Sequence, residues 1–137
     1  MDLTTDWLGL SLKNPLVPSA SPLTRSLDAA RQLEDAGAAA IVMHSLFEEV
    51  VRAEEQPSTD FQQQGRGLTD ADRLLPPRRG FPGELDRYLE QVAALKASLD
   101  IPVVASLNGV TAGGWMQHAR EIRDAGADAL ELNAYYV

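Results

Sequence analysis

The chain has 137 residues, 45% of them hydrophobic, with a formal net charge of −8 and no cysteine. That length supports one core of ordinary size, and the missing cysteines exclude disulfides, thiolate metal sites and cysteine nucleophiles together. The 12 Lys and Arg are dispersed among 20 acids, which speaks against nucleic acid as a partner.

No uncharged apolar run reaches the ~18 residues of a membrane helix. The start, Met1-Asp2-Leu3-Thr4-Thr5-Asp6, lacks the basic and apolar regions of a signal peptide. The expected compartment is the cytoplasm, with no membrane partner.

Leu3 to Leu12 alternates imperfectly and turns near Gly9, the pattern of a short hairpin. Asn14-Pro15 punctuates the chain before Leu16-Val17, read as a short apolar strand. It enters Pro18-Ser19-Ala20-Ser21-Pro22, a loop of small residues where backbone can approach a flat ligand closely. Ser26 is placed to cap a helix with Leu27, Ala30, Leu33 and Ala36 inward, and Gly37 ends it. Strand two covers Ala39 to Met43.

A long polar excursion from Ser45 to Gly83 holds one short helix, Phe47 to Glu55, and otherwise reads as a solvated loop. Its Arg66, Arg73, Arg78 and Arg79 are of the type that pairs with carboxylates. Gly65-Arg66-Gly67 lacks the Gly-Lys-Ser/Thr continuation of a phosphate loop. Glu84 to Leu99 is the clearest helix, with Leu85, Tyr88, Leu89, Val92, Leu95 and Leu99 at helical spacing. Asp100-Ile101-Pro102 turns into strand three, Val103 to Leu107, which ends at Asn108-Gly109. Thr111 to Ala125 is the next helix, with Trp115, Ala119 and Ile122 inward. Strand four, Ala129 to Asn133, leads to Tyr135-Tyr136-Val137.

One segment occurs twice. Asp35-Ala36-Gly37-Ala38 leads to His44 as Asp124-Ala125-Gly126-Ala127 leads to Asn133; each copy is the αβ half of a βα repeat, and His44 and Asn133 are equivalent by register. Apolar strands alternating with helices predict a parallel α/β sheet. Four βα strands make the N-terminal half of a (β/α)₈ barrel, which closes with about 250 residues. Residues 1–137 are therefore expected to form an incomplete domain. Its exposed sheet edges call for the missing C-terminal half of the barrel as partner, and they also suit a homo-oligomer.

All four strand ends carry small or polar groups: Ser19 and Ser21, His44 and Ser45, Ser106 and Asn108, and Asn133. Parallel barrels bind small-molecule substrates at that face. His118, beside Trp115 and Ile122, reads as structural or solvent-facing. Two histidines without spaced carboxylates predict no metal site.

These residues carry a resemblance. Leu12-Lys13-Asn14-Pro15-Leu16-Val17-Pro18-Ser19-Ala20-Ser21, Met43-His44-Ser45, Ile101-Pro102-Val103-Val104-Ala105-Ser106-Leu107-Asn108-Gly109 and Ala125-Gly126-Ala127-Asp128-Ala129-Leu130-Glu131-Leu132-Asn133 together resemble the dihydroorotate dehydrogenase family, flavin-dependent (β/α)₈ barrels. The likeness is greatest to the dihydroorotate dehydrogenase-like branch, whose members also read Ser-Leu-Asn-Gly and Glu-Leu-Asn followed by Tyr-Tyr.

The resemblance implies FMN as cofactor and oxidation of a CH–CH bond with hydride passing to the flavin, in pyrimidine biosynthesis. Ser19, Ala20 and Ser21 would lie against the flavin. His44 stands where typical members have a lysine that touches flavin and substrate, Ser45 matches the serine that follows it, and Asn133 matches an asparagine shared between the two. Asn108 joins His44 and Asn133 as a substrate-binding candidate. The family grips the flavin phosphate with loops late in the barrel.

Active branches carry a cysteine or serine base, in one common version three residues after the asparagine of Glu-Leu-Asn. Tyr136 stands there, a weak candidate because a phenol with pKa near ~10 is a poor base at neutral pH. The substrate loop lacks its usual asparagine, and Phe81-Pro82-Gly83 stands in its place. A non-catalytic flavin-binding barrel that has lost its base is the alternative. A Schiff-base lyase would need a strand-end lysine, whereas Lys13 and Lys96 fall in a hairpin and on a helix. His44, with an ordinary pKa of ~6.5, is expected to switch charge near neutral pH beside the flavin.

Overall fold

The computed structural model describes residues 1–55 and 82–134. At the N-terminus β1 (Thr5–Trp7) and β2 (Leu10–Leu12) pair antiparallel, Trp7 opposite Leu10. The connecting Leu8 and Gly9 have φ of 55° and 76°, the two positive values that a tight hairpin turn requires. Ser26 opens α1 (Leu27–Asp35) by accepting a hydrogen bond from the Ala29 N–H at 3.3 Å. Gly37, at φ 102°, turns the chain out of that helix.

Then come β3 (Ile41–Phe47), α2 (Glu48–Glu55), α3 (Glu84–Ser98), β4 (Val103–Asn108), α4 (Ala112–Asp124) and β5 (Ala129–Asn133). β3, β4 and β5 lie side by side in chain order as a parallel sheet. One sheet face supplies Ile41, Met43, Leu46, Val103, Ala105 and Leu107 to a core closed by Val51, Tyr88, Val92, Leu95 and Ile122 from three helices. Burial of each large side chain there contributes roughly 1.5–3 kcal/mol. The expected mixed α/β class with a parallel sheet is what forms. No helix among the described residues is long and apolar enough to cross a membrane.

Two strand expectations need correction. Leu16-Val17 forms no strand, because Pro15 and Pro18 have no N–H to offer a ladder. The segment flanks β3 through carbonyls alone: Leu16 C=O accepts from the Ala39 N–H at 2.9 Å and Pro18 C=O from the Val42 N–H at 3.1 Å. Asn14 anchors it, its Oδ1 accepting from the Leu16 N–H at 2.8 Å and its Nδ2 donating to the Gly37 carbonyl at 3.0 Å. The described sheet thus has three strands rather than four. Strand two starts at Ile41 and runs past Met43 to Phe47, since β4 provides register partners for Ser45, Leu46 and Phe47; the polar excursion begins after α2. Arg66, Arg73, Arg78 and Arg79, like Tyr135 and Tyr136, lie outside the described residues.

The β3–β4 register shifts between Val42 and Ser45, where Met43 and His44 oppose Ala105 alone. This is a β-bulge, which leaves ladder groups unpaired. Tyr88 of α3 fills the gap: its hydroxyl accepts from the Ser106 N–H at 2.9 Å and donates to the Ser106 carbonyl at 3.1 Å. Burial pushes the Tyr88 phenol above its ordinary value, so it keeps the proton it donates.

Glu48, the first residue of α2, is 1% exposed. Its carboxylate accepts from the N–H groups of Val110 and Thr111 and from the Thr111 hydroxyl. Thr111 in turn caps α4, its Oγ1 accepting from the Gly114 N–H at 3.1 Å. A Cβ on Gly114 would collide with the Glu48 carboxylate, whereas one on Gly113 would meet nothing within 4 Å. Gly114→Ala is therefore expected to destabilise by ~2 kcal/mol, and Gly113→Ala to be neutral or stabilising by up to ~1 kcal/mol. Equal urea midpoints for the two variants would show that Glu48 swings aside at no cost.

Burial alone would raise the Glu48 carboxyl, but the Thr111 hydroxyl and N–H, the Val110 N–H and Arg52 outweigh it and hold the group below 4.5. A carboxyl depressed by folding stabilises fully above its unfolded value and loses that contribution as pH falls through the folded one. Glu48→Gln should cost roughly 1–3 kcal/mol at neutral pH, and its deficit should close as pH drops below 4.5. A deficit that urea titrations find constant with pH would contradict the charged clamp.

Candidate functional site

Adjacent residues of a regular strand point to opposite faces. The bulge breaks that rule for His44 and Ser45, which line one open cavity of ≈200 Å³ together with Ala20, Ser21, Pro22, Arg25 and Phe47. Of the expected loop residues, Ala20 and Ser21 reach this cavity, while Ser19 is exposed and outside its wall. Arg25 comes from the short 3₁₀ turn Pro22–Arg25 that follows the small-residue loop.

His44 is 8% exposed and its ring meets Tyr88 edge-on, with centroids 5.2 Å apart and planes at 69°. Its buried Nδ1 has no hydrogen-bond partner among the described residues, a deficit worth roughly 1–3 kcal/mol in a protein interior. Burial and the Arg25 guanidinium push the imidazole below 6.5, with Glu84 opposing them in part. His44 is accordingly neutral at neutral pH; the expected charge switch is displaced toward acid because charging would strip a cation of water beside another cation.

The sheet also revises the proposed equivalence of His44 and Asn133. Asn133 pairs with Asn108, and Asn108 with Phe47; Ser45 pairs with Ser106, and Ser106 with Glu131. His44 stands three residues before Phe47, the β3 residue in the Asn133 row; the offset between adjacent strands accounts for two of them and the extra residue of the bulge for the third.

Asn133 instead joins Ser45. Its Nδ2 donates to Ser45 Oγ at 3.2 Å and to Ser106 Oγ at 3.0 Å. The two serine oxygens lie 2.9 Å apart, and Ser106 Oγ donates to Glu131 Oε1 at 2.7 Å. Ser106 is fully buried and the other three are half-buried. Asn108 stands beside this cluster at the end of β4, half-buried, and takes no part in these hydrogen bonds.

Glu131 was absent from the sequence candidates. Its signal was available, since an acid between Leu130 and Leu132 on a strand marks a polar face. Ser106 in the otherwise apolar Val103–Leu107 run carried a similar signal. Tyr88 read only as a core residue by its helical spacing. His118 is buried, with Nδ1 2.9 Å from Glu121, and is structural. Tyr136 lies outside the described residues, and among those described no group of three or more His, Asp or Glu could hold a metal.

At one end of a parallel sheet, then, stand a neutral imidazole whose Nδ1 has no partner among the described residues, two linked hydroxyls, an amide and a carboxylate. They can hydrogen-bond a polar planar ligand and handle a proton. No family model matches the chain. Over 126 residues, 91% of this chain, it is 31% identical to the catalytic subunit of dihydroorotate dehydrogenase B (NAD(+)) from Methanosarcina mazei, and it spans 38% of that protein's length. The chain has a distant relationship to dihydroorotate dehydrogenase, an oxidoreductase.

Proposed function

We propose that this chain is the N-terminal part of an FMN-dependent oxidoreductase of the dihydroorotate dehydrogenase type, in which further βα units complete a (β/α)₈ barrel. The similarity supports the reading by its extent, 91% of this chain but only 38% of the relative. So does β5, which among the described residues pairs with β4 alone and leaves Leu132 49% exposed. The missing barrel half and a small-molecule substrate are the partners this reading requires, in a cytoplasmic enzyme; dimerisation through the open edge is compatible with it.

The observation that carries the cofactor assignment is His44, which lines a cavity together with Ala20 and Ser21 and whose buried Nδ1 has no partner among the described residues. Small residues admit the face of a flat ring, and the imidazole awaits a hydrogen-bond partner. At ≈200 Å³ the cavity is below the ~300 Å³ at which ligand pockets begin, so it suits one edge of an isoalloxazine and leaves the phosphate to other loops. When bound, FMN supplies the hydride acceptor. Around it, Ala20 and Ser21 would set the ring's approach, neutral His44 would hold its polar edge, Asn133 would contact both flavin and substrate, and Asn108 would orient the substrate. Ser19, exposed, would serve only at the rim.

A second reading, a flavin-binding barrel without catalysis, is favoured by the absence of cysteine from the chain. Reduction of bound flavin by a CH–CH substrate separates it from the first.

Flavin-fluorescence titration tests the assignment in the protein extended by its remaining barrel units. That protein should bind FMN stoichiometrically, and His44→Ala and Asn133→Ala should each weaken binding about tenfold, the equivalent of one hydrogen bond. His118→Ala should leave affinity unchanged, and residues 1–137 alone should bind FMN weakly. Wild-type affinity in both site variants, or tight stoichiometric FMN on residues 1–137, would remove the basis of the proposal.

A further inference from the structure

Counting hydrogens fixes the direction of the strand-end network. An ionised carboxylate only accepts, so the 2.7 Å bond to Glu131 uses the one hydroxyl proton of Ser106. Ser106 Oγ then has only lone pairs for Asn133 Nδ2 at 3.0 Å and Ser45 Oγ at 2.9 Å. Ser45 must be the donor between the two serines. Its oxygen accepts from Asn133 Nδ2 at 3.2 Å, which leaves one Ser45 lone pair without a partner among the described residues. The Asn133 amide is fixed with nitrogen toward the serines, because neither hydroxyl has a proton left to give it. Ser45 also lines the cavity that His44 and Arg25 share. The hydroxyl chain thus begins at a residue of the cavity wall and ends on a base.

We propose that Ser45 is a catalytic proton acceptor, activated through Ser106 by Glu131. A ligand in the cavity gives a proton to Ser45 Oγ; the Ser45 hydroxyl proton moves to Ser106 Oγ, and the Ser106 proton moves to Glu131. Both serines end as hydroxyls, Glu131 ends as a neutral carboxylic acid, and the ligand keeps the electron pair. Asn133 Nδ2 donates to both oxygens and so stabilises negative charge in transit. Ser106 and Glu131 act through Ser45 and are positioning residues. The activation of Ser45 stands on this geometry alone. Its use as the base of a dehydrogenation rests on the function proposed above, where the retained pair forms the double bond as hydride leaves the adjacent carbon for the flavin.

A network that only stiffened the sheet face would tolerate glutamine at position 131, whose amide oxygen accepts from Ser106 but takes no proton. Diisopropyl fluorophosphate distinguishes the two roles in the chain itself. In the probe reaction Ser45 Oγ bonds to phosphorus, the P–F bond breaks with loss of fluoride, and the Ser45 proton leaves through Ser106 to Glu131. Peptide mass spectrometry should find Ser45 modified at least about tenfold faster than the exposed Ser11 and Ser26. Glu131→Gln should abolish that preference while circular dichroism and the urea midpoint stay as in the parent chain.

Ser106→Ala, which breaks the path at a buried site without placing an unpaired charge there, should do the same and serves if Glu131→Gln fails to fold. Ser45 labelled no faster than Ser11, or labelled at the parental rate in either folded variant, overturns the relay. FMN titration of the same variants in the extended protein keeps the inferences apart: preferential labelling without flavin binding would remove the proposed function and leave the activated serine standing.

Discussion

β3 sets Met43 and His44 against Ala105 alone, and the strand-end chemistry follows from that extra residue. With strict alternation from Ile41, whose side chain faces the helices, Ser45 would enter the apolar core and Leu46 would face the other way. The bulge reverses this, so that Leu46 is 1% exposed in the core and Ser45 lies beside Ser106. The same irregularity exposes backbone groups of Ser106, which only a hydrogen-bonding side chain from the helix layer could satisfy. Tyr88 does so, and its ring then packs against His44. Core, ladder and cavity are therefore joined at a single irregularity.

A second constraint ties successive βα units together. Glu48 begins the helix after β3, yet its carboxylate is bound by the turn after β4. Three donors on one buried carboxylate offset the loss of its water, and Gly114 is needed so that α4 can start so close. At the opposite end of the sheet Lys96 holds Asp128, which also accepts from the Val103 N–H at 2.7 Å. Glu34 receives the Asp100 and Ile101 N–H groups there. Carboxylates thus order the connections at both ends of the sheet, one way in which an acidic chain uses its charge.

Local features were the legible ones. The hairpin turn at Gly9, the Ser26 cap, the glycine stop at Gly37 and the helical spacing of Leu85 to Leu99 rest on neighbours in sequence, and each gave its element to within a residue or two. Leu16-Val17 misled because apolarity suggests a strand while the flanking prolines withhold donors. The bulge and the offset between adjacent strands left no mark in the sequence, since both depend on how β3 meets β4 and β4 meets β5, and repetition alone therefore gives His44 no ladder row. Glu48 and Glu131 were missed for a related reason. An acid at a helix start or in an alternating strand usually faces water, and only the distant donors at Val110, Thr111 and Ser106 give these two another purpose.

The prolines beside β3 make that side of the sheet unlike the side formed by β5. Between Pro15 and Pro18 the Leu16 N–H is already held by Asn14, so a strand arriving on that side meets only the Val17 N–H as a backbone donor. β5 presents a regular strand edge instead. Among the described residues the two sides of the sheet therefore differ: along β5 donors and acceptors alternate, whereas beside β3 acceptors stand almost alone.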